Sequence, residues 1–221
     1  MKKLVFCAGL FFVGFGIVFS EFYSDAKPEK NYIALTFDDG PSLITPKLCE
    51  LLKKYNVKAT FFVLGENVRR YPENLKRIKN DGHLIGSHTY SHKNFYKISK
   101  GNLRDEIVSE IKKTEDEIYK VVGIKPNILR YPYGYNRSLG IEIAKELGYD
   151  VYNWTFGYDW NNIDIEKLAQ MYIENIKPGA ILLLHDTPKR KGKVLELTKR
   201  IIEEAKRRGY EIVRLDEMIF K

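Results

Sequence analysis

The sequence predicts an α/β protein in which about seven parallel strands alternate with helices in a deformed (β/α) barrel, its site at the carboxyl ends of the strands. Three observations carry this expectation. Short, almost wholly apolar segments recur along the chain, several too apolar to expose a face. Amphipathic helical segments lie between them, the alternation that gives a parallel sheet with covered faces. The chemistry-bearing side chains fall just past strand ends, the face on which such barrels gather catalytic groups. The chain has no glycine-rich dinucleotide loop, which favours a barrel over an open sheet, although periodicity alone leaves closure open.

The chain opens with "MKKLVFCAGLFFVGFGIVFS", in which Lys2 and Lys3 precede an uncharged, mostly apolar run from Leu4 to Ser20. This reads as an export leader, either a signal peptide or a membrane anchor: the run is long for the former and short for the latter. Ser20 and the pair Ser24 and Ala26 are candidate cleavage sites, so residues 1–26 are assigned to leader and linker and 27–221 to one domain. A chain of 221 residues has room for one sizeable core.

The strands are expected at 32–37, 59–64, 83–86, 127–130, 149–155, 180–184 and 210–215. Between the first two, Thr45 is placed to cap a helix with Pro46 in its first turn, and Leu48, Leu51, Leu52 and Tyr55 fall at helical spacing. Segment 103–122 puts Leu103, Ile107, Ile111 and Ile118 on one stripe. Asp164 is placed to cap 165–176, and Val194, Leu197, Ile201 and Ala205 mark the last long helix.

Composition narrows the function. The formal net charge of +8 survives removal of residues 1–26, where Lys2 and Lys3 balance Glu21 and Asp25. An exported basic domain is drawn to anionic envelope polymers, and export argues against nucleic acid as a partner. Cys49 is the only cysteine outside the leader, which excludes an internal disulfide. It sits in a helical pattern and reads as core.

Five strand ends then supply polar residues: Asp38 and Asp39, His88 and His92, Arg130, Asp159, and His185. "DDGP" alone reads as a turn. His88 and His92, four apart, can aim at one point. With a carboxylate from another strand end they make two histidines and one carboxylate, a metal set that leaves positions open for water and substrate. A divalent cation so held lowers the pKa of its water towards about 7. One aspartate cannot easily serve as both ligand and base, which gives the adjacent pair separate tasks if their side chains diverge as in an extended strand. His185 is the candidate acid for the leaving group.

"TFDDGPS", "SHTYSH", "RYPYG", "YDW" and "LLLHDT", in this order and spacing, resemble the five motifs of the NodB-homology polysaccharide deacetylases, carbohydrate esterase family 4. The resemblance runs over roughly residues 30–220. It implies Asp38 as catalytic base and Asp39, His88 and His92 as ligands of one divalent metal, usually zinc, with cobalt, nickel or manganese as substitutes. It further implies Arg130 as the partner of the base, the Tyr133 backbone N–H as an oxyanion donor, Asp159 as the partner of the acid His185, and Trp160 and Leu183 as walls of the acetyl pocket. One departure stands out: many relatives carry an aspartate where this chain has Gly157.

The expected function is removal of acetyl groups from N-acetylated sugars of a polysaccharide, peptidoglycan first, in cell-wall or spore-cortex remodelling. Chitin oligomers and O-acetylated xylan are the alternative substrates, and a catalytically silent carbohydrate-binding protein is the alternative class. The protein is expected as a monomer, exported and wall-associated or anchored on the outer side of the membrane.

Overall fold

The computed structural model describes residues 22–26 and 30–219; the expected leader through Glu21, with its candidate cleavage site at Ser20, lies outside the described residues. The central strand is β2 (Tyr32–Gly40), whose residues are nearly all buried. Around it stand β3 (Thr60–Val63), β4 (Leu84–Ser87), β5 (Ile128–Leu129) and β6 (Asp150–Tyr152) on one side, and β8 (Ile181–His185) on the other. A short β9 (Glu211–Ile212) pairs with the start of β2. These are the seven expected strands, and every pairing is parallel.

Two further two-residue strands were not anticipated. β1 (Phe22–Tyr23) pairs with β6, and β7 (Phe156–Gly157) pairs with β8. The order β1-β6-β5-β4-β3-β2-β8-β7 makes a curled sheet whose ladder does not close among the described residues, a deformed (β/α) barrel open between its edge strands β1 and β7. The opening is crossed by other bonds: Thr155 N–H donates to Ile181 O, Asn153 N–H to Tyr23 O, and Ala26 N–H to Gly179 O. Residues 22–26, assigned to leader and linker from sequence, are therefore folded onto the sheet, and a cut after Ala26 would remove them.

Helices cover the outside. α1 (Thr45–Lys54) buries Leu48, Cys49 and Leu52; α4 (Lys100–Val122) buries the expected stripe of Leu103, Ile107, Ile111 and Ile118. In α7 (Lys191–Arg207), Val194, Leu197, Ile201 and Ala205 are buried. Each such valine, leucine or isoleucine contributes roughly 1.5–3 kcal/mol through burial. Asp164 caps α6 (Ile165–Glu174) as expected, accepting from the N–H groups of Glu166 and Lys167. Thr45 does not cap α1. It is the first residue of that helix, and its hydroxyl is turned to Asp186. Helices α2 (Gly65–Arg70), α3 (Pro72–Asn80), α5 (Ser138–Glu146) and α8 (Leu215–Ile219) complete the set.

Candidate active site

Asp38 and Asp39 share the carboxyl end of β2 by a different device from a plain extended strand. The β2–β3 register shifts between Asp38 and Gly40, and Asp39 takes a left-handed conformation with φ 69°. An extended pair would send alternate side chains to opposite faces; this bulge lets both carboxylates line one cleft. The turn is held from β8. Asp186 donates its N–H to Asp38 O (2.8 Å), and its buried carboxylate accepts from the hydroxyls of Ser42 and Thr45. A side chain at Gly40 would begin 2.5 Å from Asp186 Oδ2, so glycine is required there. Burial pushes the Asp186 carboxyl up to about 6, against those two hydroxyl donors.

The two histidines reach the same point. Asp39 Oδ1 lies 3.7 Å from His88 Nε2 and 3.5 Å from His92 Nε2. The ligand atoms of all three residues fall within 4.8 Å of one another. Asp39 Oδ1 is buried and accepts no hydrogen bond among the described residues. Such an orphaned oxygen between two imidazoles fits a divalent cation, since zinc bonds of ~2.0–2.1 Å in a tetrahedron set ligands roughly 3.3 Å apart. His88 is prepared for that role: its Nδ1 is 2.7 Å from Arg130 O, so it donates there and leaves the Nε2 lone pair free. Burial lowers its pKa to about 3, which keeps the ring neutral. Asp38 Oδ2 is also 3.7 Å from His88 Nε2, but Asp38 is bound elsewhere.

Its partner is Arg130, which is wholly buried. Arg130 NH1 donates to Asp38 Oδ1 (2.8 Å) and Thr36 Oγ1 (2.7 Å), Nε to Tyr152 O, and NH2 to Asn153 O. Burial raises the Asp38 pKa, and the Arg130 charge opposes that rise. Across the cleft, Asp159 accepts from His185 at both the ring Nδ1 (2.7 Å) and the backbone N–H (2.9 Å). Burial disfavours the charged imidazole, but the hydrogen bond and charge of Asp159 outweigh it and raise His185 to about 9.

The cleft has a volume of about 450 Å³ and is lined by Asp38, Asp39, His88, His92, Tyr133, Trp160, Leu183 and His185, with Tyr131 and Trp154 beneath. Arg130 and Asp159 stand behind it as supports, so all ten residues singled out in the sequence meet at one site. Trp154 is half-buried at the cleft. Tyr133 sits at φ 58° in a short 3-10 turn, with its ring against His92. The Trp160 ring meets His185 edge-on at 5.6 Å. Gly157 now has a physical reason: a Cβ there would lie 2.7 Å from that of Leu183, so the glycine leaves room for a wall of the cleft.

One supporting residue was missed. Glu110 of α4 is buried, and its carboxylate accepts from Tyr90 N–H (2.9 Å), Ser91 N–H (2.8 Å) and Ser91 Oγ (2.8 Å), tying the loop between the two histidines to the helix. The signal was present, because Glu110 and Thr114 occupy the face that Leu103 and Ile107 define. His83 stands apart from His88 and His92, beside Cys49 and Asp81. Its Nδ1 accepts from Ala59 N–H, so the neutral ring carries its proton on Nε2 and has no lone pair for a metal. Burial lowers His83 to about 4 and pushes the Cys49 thiol up to about 12, which makes both inert core groups.

Comparison with known proteins agrees with this geometry. Residues 25–152 match the family model described as polysaccharide deacetylase. A peptidoglycan-N-acetylglucosamine deacetylase of Bacillus cereus is 39% identical over 193 residues, spanning 86% of this chain and 68% of that protein. A peptidoglycan-N-acetylmuramic acid deacetylase of Bacillus subtilis is 34% identical over 209 residues, spanning 92% of this chain and 76% of the relative. The crystal structure of the Bc1960 peptidoglycan N-acetylglucosamine deacetylase superposes with a TM-score of 0.84 at 35% identity, covering 90% of this chain and 93% of that one.

Proposed function

The chain belongs to the polysaccharide deacetylase family, and from that premise we propose that it is a metal-dependent hydrolase removing N-acetyl groups from the sugars of peptidoglycan outside the cell membrane. The observation that carries the reading is the Asp39 oxygen held without a hydrogen bond between two imidazoles, opposite the His185–Asp159 pair. Asp39, His88 and His92 would hold the cation, zinc by the chemistry of two imidazoles and a carboxylate. When bound, it polarises the acetyl carbonyl and acidifies water.

The chain's own groups then divide the work. Asp38, oriented by Arg130, takes the proton of the water that attacks the acetyl carbon. The Tyr133 backbone N–H donates to the oxyanion that forms, while Trp160 and Leu183 enclose the methyl group. His185 is protonated at neutral pH through Asp159 and gives that proton to the amine as the C–N bond breaks, which yields acetate and a free amino sugar. The Asp38 proton then restores His185, and the acidic proton of the acetic acid goes to solvent to leave acetate.

The test is acetate release from peptidoglycan, chitin oligomers and acetylated xylan, with zinc or cobalt and after chelation. Peptidoglycan should release acetate, chelation should stop it and added metal should restore it. Asp38→Asn should lose about 10²–10⁴-fold in kcat, and His88→Ala should lose the metal. Wild-type protein that binds these glycans yet releases no acetate from any of them would make it a silent carbohydrate-binding protein and refute the reading.

A further inference from the structure

Beyond Asp39 and His92 the cleft continues into a second hollow of about 320 Å³, to which both residues also contribute. Its outer wall is formed by Asn67, Arg70 and Tyr71 from α2 and the turn after it, and by Thr187 and Pro188 after β8. Asn67 is fixed by donating its Nδ2 to Asp39 O (2.7 Å), which ties this wall to the cation ligand. Tyr71 and Pro188 offer the flat apolar surface a sugar ring stacks on, and Asn67 and Thr187 offer polar groups for its hydroxyls.

Charge decides what kind of sugar fits. Among the described residues the inner cleft is lined by no lysine or arginine; Arg130 behind it is committed to Asp38, and His185 to Asp159. The carboxylates facing the hollow are occupied: Asp186 is bonded by Ser42 and Thr45, and Asp39 faces the two histidines. Among the described residues Arg70 is thus the one lysine or arginine lining either hollow, and its guanidinium makes no ion pair or hydrogen bond. A guanidinium fork open to a cleft suits a planar carboxylate in a bidentate contact.

We propose that this hollow is a second saccharide subsite in which Arg70 binds a carboxylate of the sugar adjoining the one deacetylated. The proposal rests on the peptidoglycan reading above and deepens it. Muramic acid, which alternates with glucosamine in peptidoglycan, bears such a carboxylate on its lactyl ether when that group is free, or on its peptide stem. Chitin bears none. Arg70 is thereby a specificity residue that favours peptidoglycan over chitin without touching the reacting atoms.

The test compares wild type with Arg70→Gln on three tetrasaccharides: alternating glucosamine–muramic acid with free lactyl carboxylates, the same with peptide stems, and chitotetraose. The readouts are kcat/KM and, independently, binding by calorimetry. In wild type the ratio of a carboxylate-bearing glycan to chitotetraose should exceed one and shrink as salt is raised. In Arg70→Gln that ratio should fall about tenfold, the loss expected for one charge-assisted contact. Whichever glycan form suffers the fall identifies the lactyl or the stem carboxylate as the ligand. An unchanged ratio in both readouts would overturn the proposal. If no glycan releases acetate, the hydrolase reading fails, while the binding ratios still decide the role of Arg70.

Discussion

Replacing Glu110 by glutamine should weaken metal binding although Glu110 touches no ligand. The loop that carries the histidines is conformationally costly: Thr89 and His92 have φ of 68° and 57°. Left-handed conformations cost an L residue about 1–2 kcal/mol each, so the loop stores roughly 2–4 kcal/mol. Opposing this are three hydrogen bonds to one buried carboxylate, from Tyr90 N–H, Ser91 N–H and Ser91 Oγ, each worth about 1.5–3 kcal/mol because the acceptor is charged. Glutamine can keep an oxygen for the two N–H groups that share Oε2 and offer its NH₂ to Ser91 Oγ, but without the charge each bond falls to about 0.5–1.5 kcal/mol. The loop loses enough support to relax, and His92 at its end moves off the metal point. Outer-shell losses of this kind cost 10–100-fold in metal affinity, about 1.4–2.7 kcal/mol.

The assay is competition for zinc against a chromophoric chelator, with the melting temperature of the metal-free chain measured alongside. A merely structural Glu110 would lower that melting temperature and leave zinc affinity where it was. Zinc affinity within twofold of wild type in Glu110→Gln would refute the reasoning, whatever the change in stability.

Three further outcomes follow from the same geometry. His185 sits at about 9, so the acid form is present below that pH and acetate release should decline as pH rises through it; Asp159→Asn removes the raising partner, leaves burial dominant and should move the alkaline limb of kcat/KM below 6.5. Gly157→Asp crowds Leu183, which should cost ~1–3 kcal/mol of stability by overpacking and raise KM while zinc affinity holds, a split that steady-state kinetics and zinc titration would read. A chain beginning at Lys27 loses the Tyr23–Tyr152 stack and the bonds from Ala26 to Gly179 and from Asn153 to Tyr23, and should melt below one beginning at Glu21, by roughly 2–4 °C for each kcal/mol lost; equal melting curves would put residues 22–26 outside the fold.

The strands were legible because burial on both faces leaves long apolar runs, as in "AILLL" before His185, and because each chemical group follows such a run. The site was legible as a set of residue types, but its construction was not. That Asp38 and Asp39 face the same cleft depends on a register shift between β2 and β3, which is set by partners in the neighbouring strand, Phe62 and Val63, and leaves no local mark. Segment 22–26 was hidden for a related reason: two residues of strand carry no periodicity, and their pairing with β6 spans more than 120 residues of sequence. Thr45 misled because the cap preference of threonine competes with a buried carboxylate, Asp186, that only the folded sheet brings near.

Arg130 joins the two halves of the candidate site, and in doing so connects the cleft to the sheet's far edge. Its side chain orients Asp38, while its carbonyl oxygen fixes the tautomer of His88, so one residue sets both the proposed base and a proposed metal ligand. The guanidinium stays charged although wholly buried because every edge of it is used: Thr36 and Asp38 on NH1, Tyr152 on Nε, Asn153 on NH2, and the Phe62 ring against its face. Two of those acceptors lie in the segment that crosses the open side of the barrel, which Tyr23 and Ser24 brace through Asn153 N–H and Thr155 Oγ1. The open barrel therefore has a mechanical consequence. Where a closed ladder would hold residues 152–155 by continuous strand pairing, here residues 22–26 help to brace them, and through Arg130 that bracing reaches Asp38.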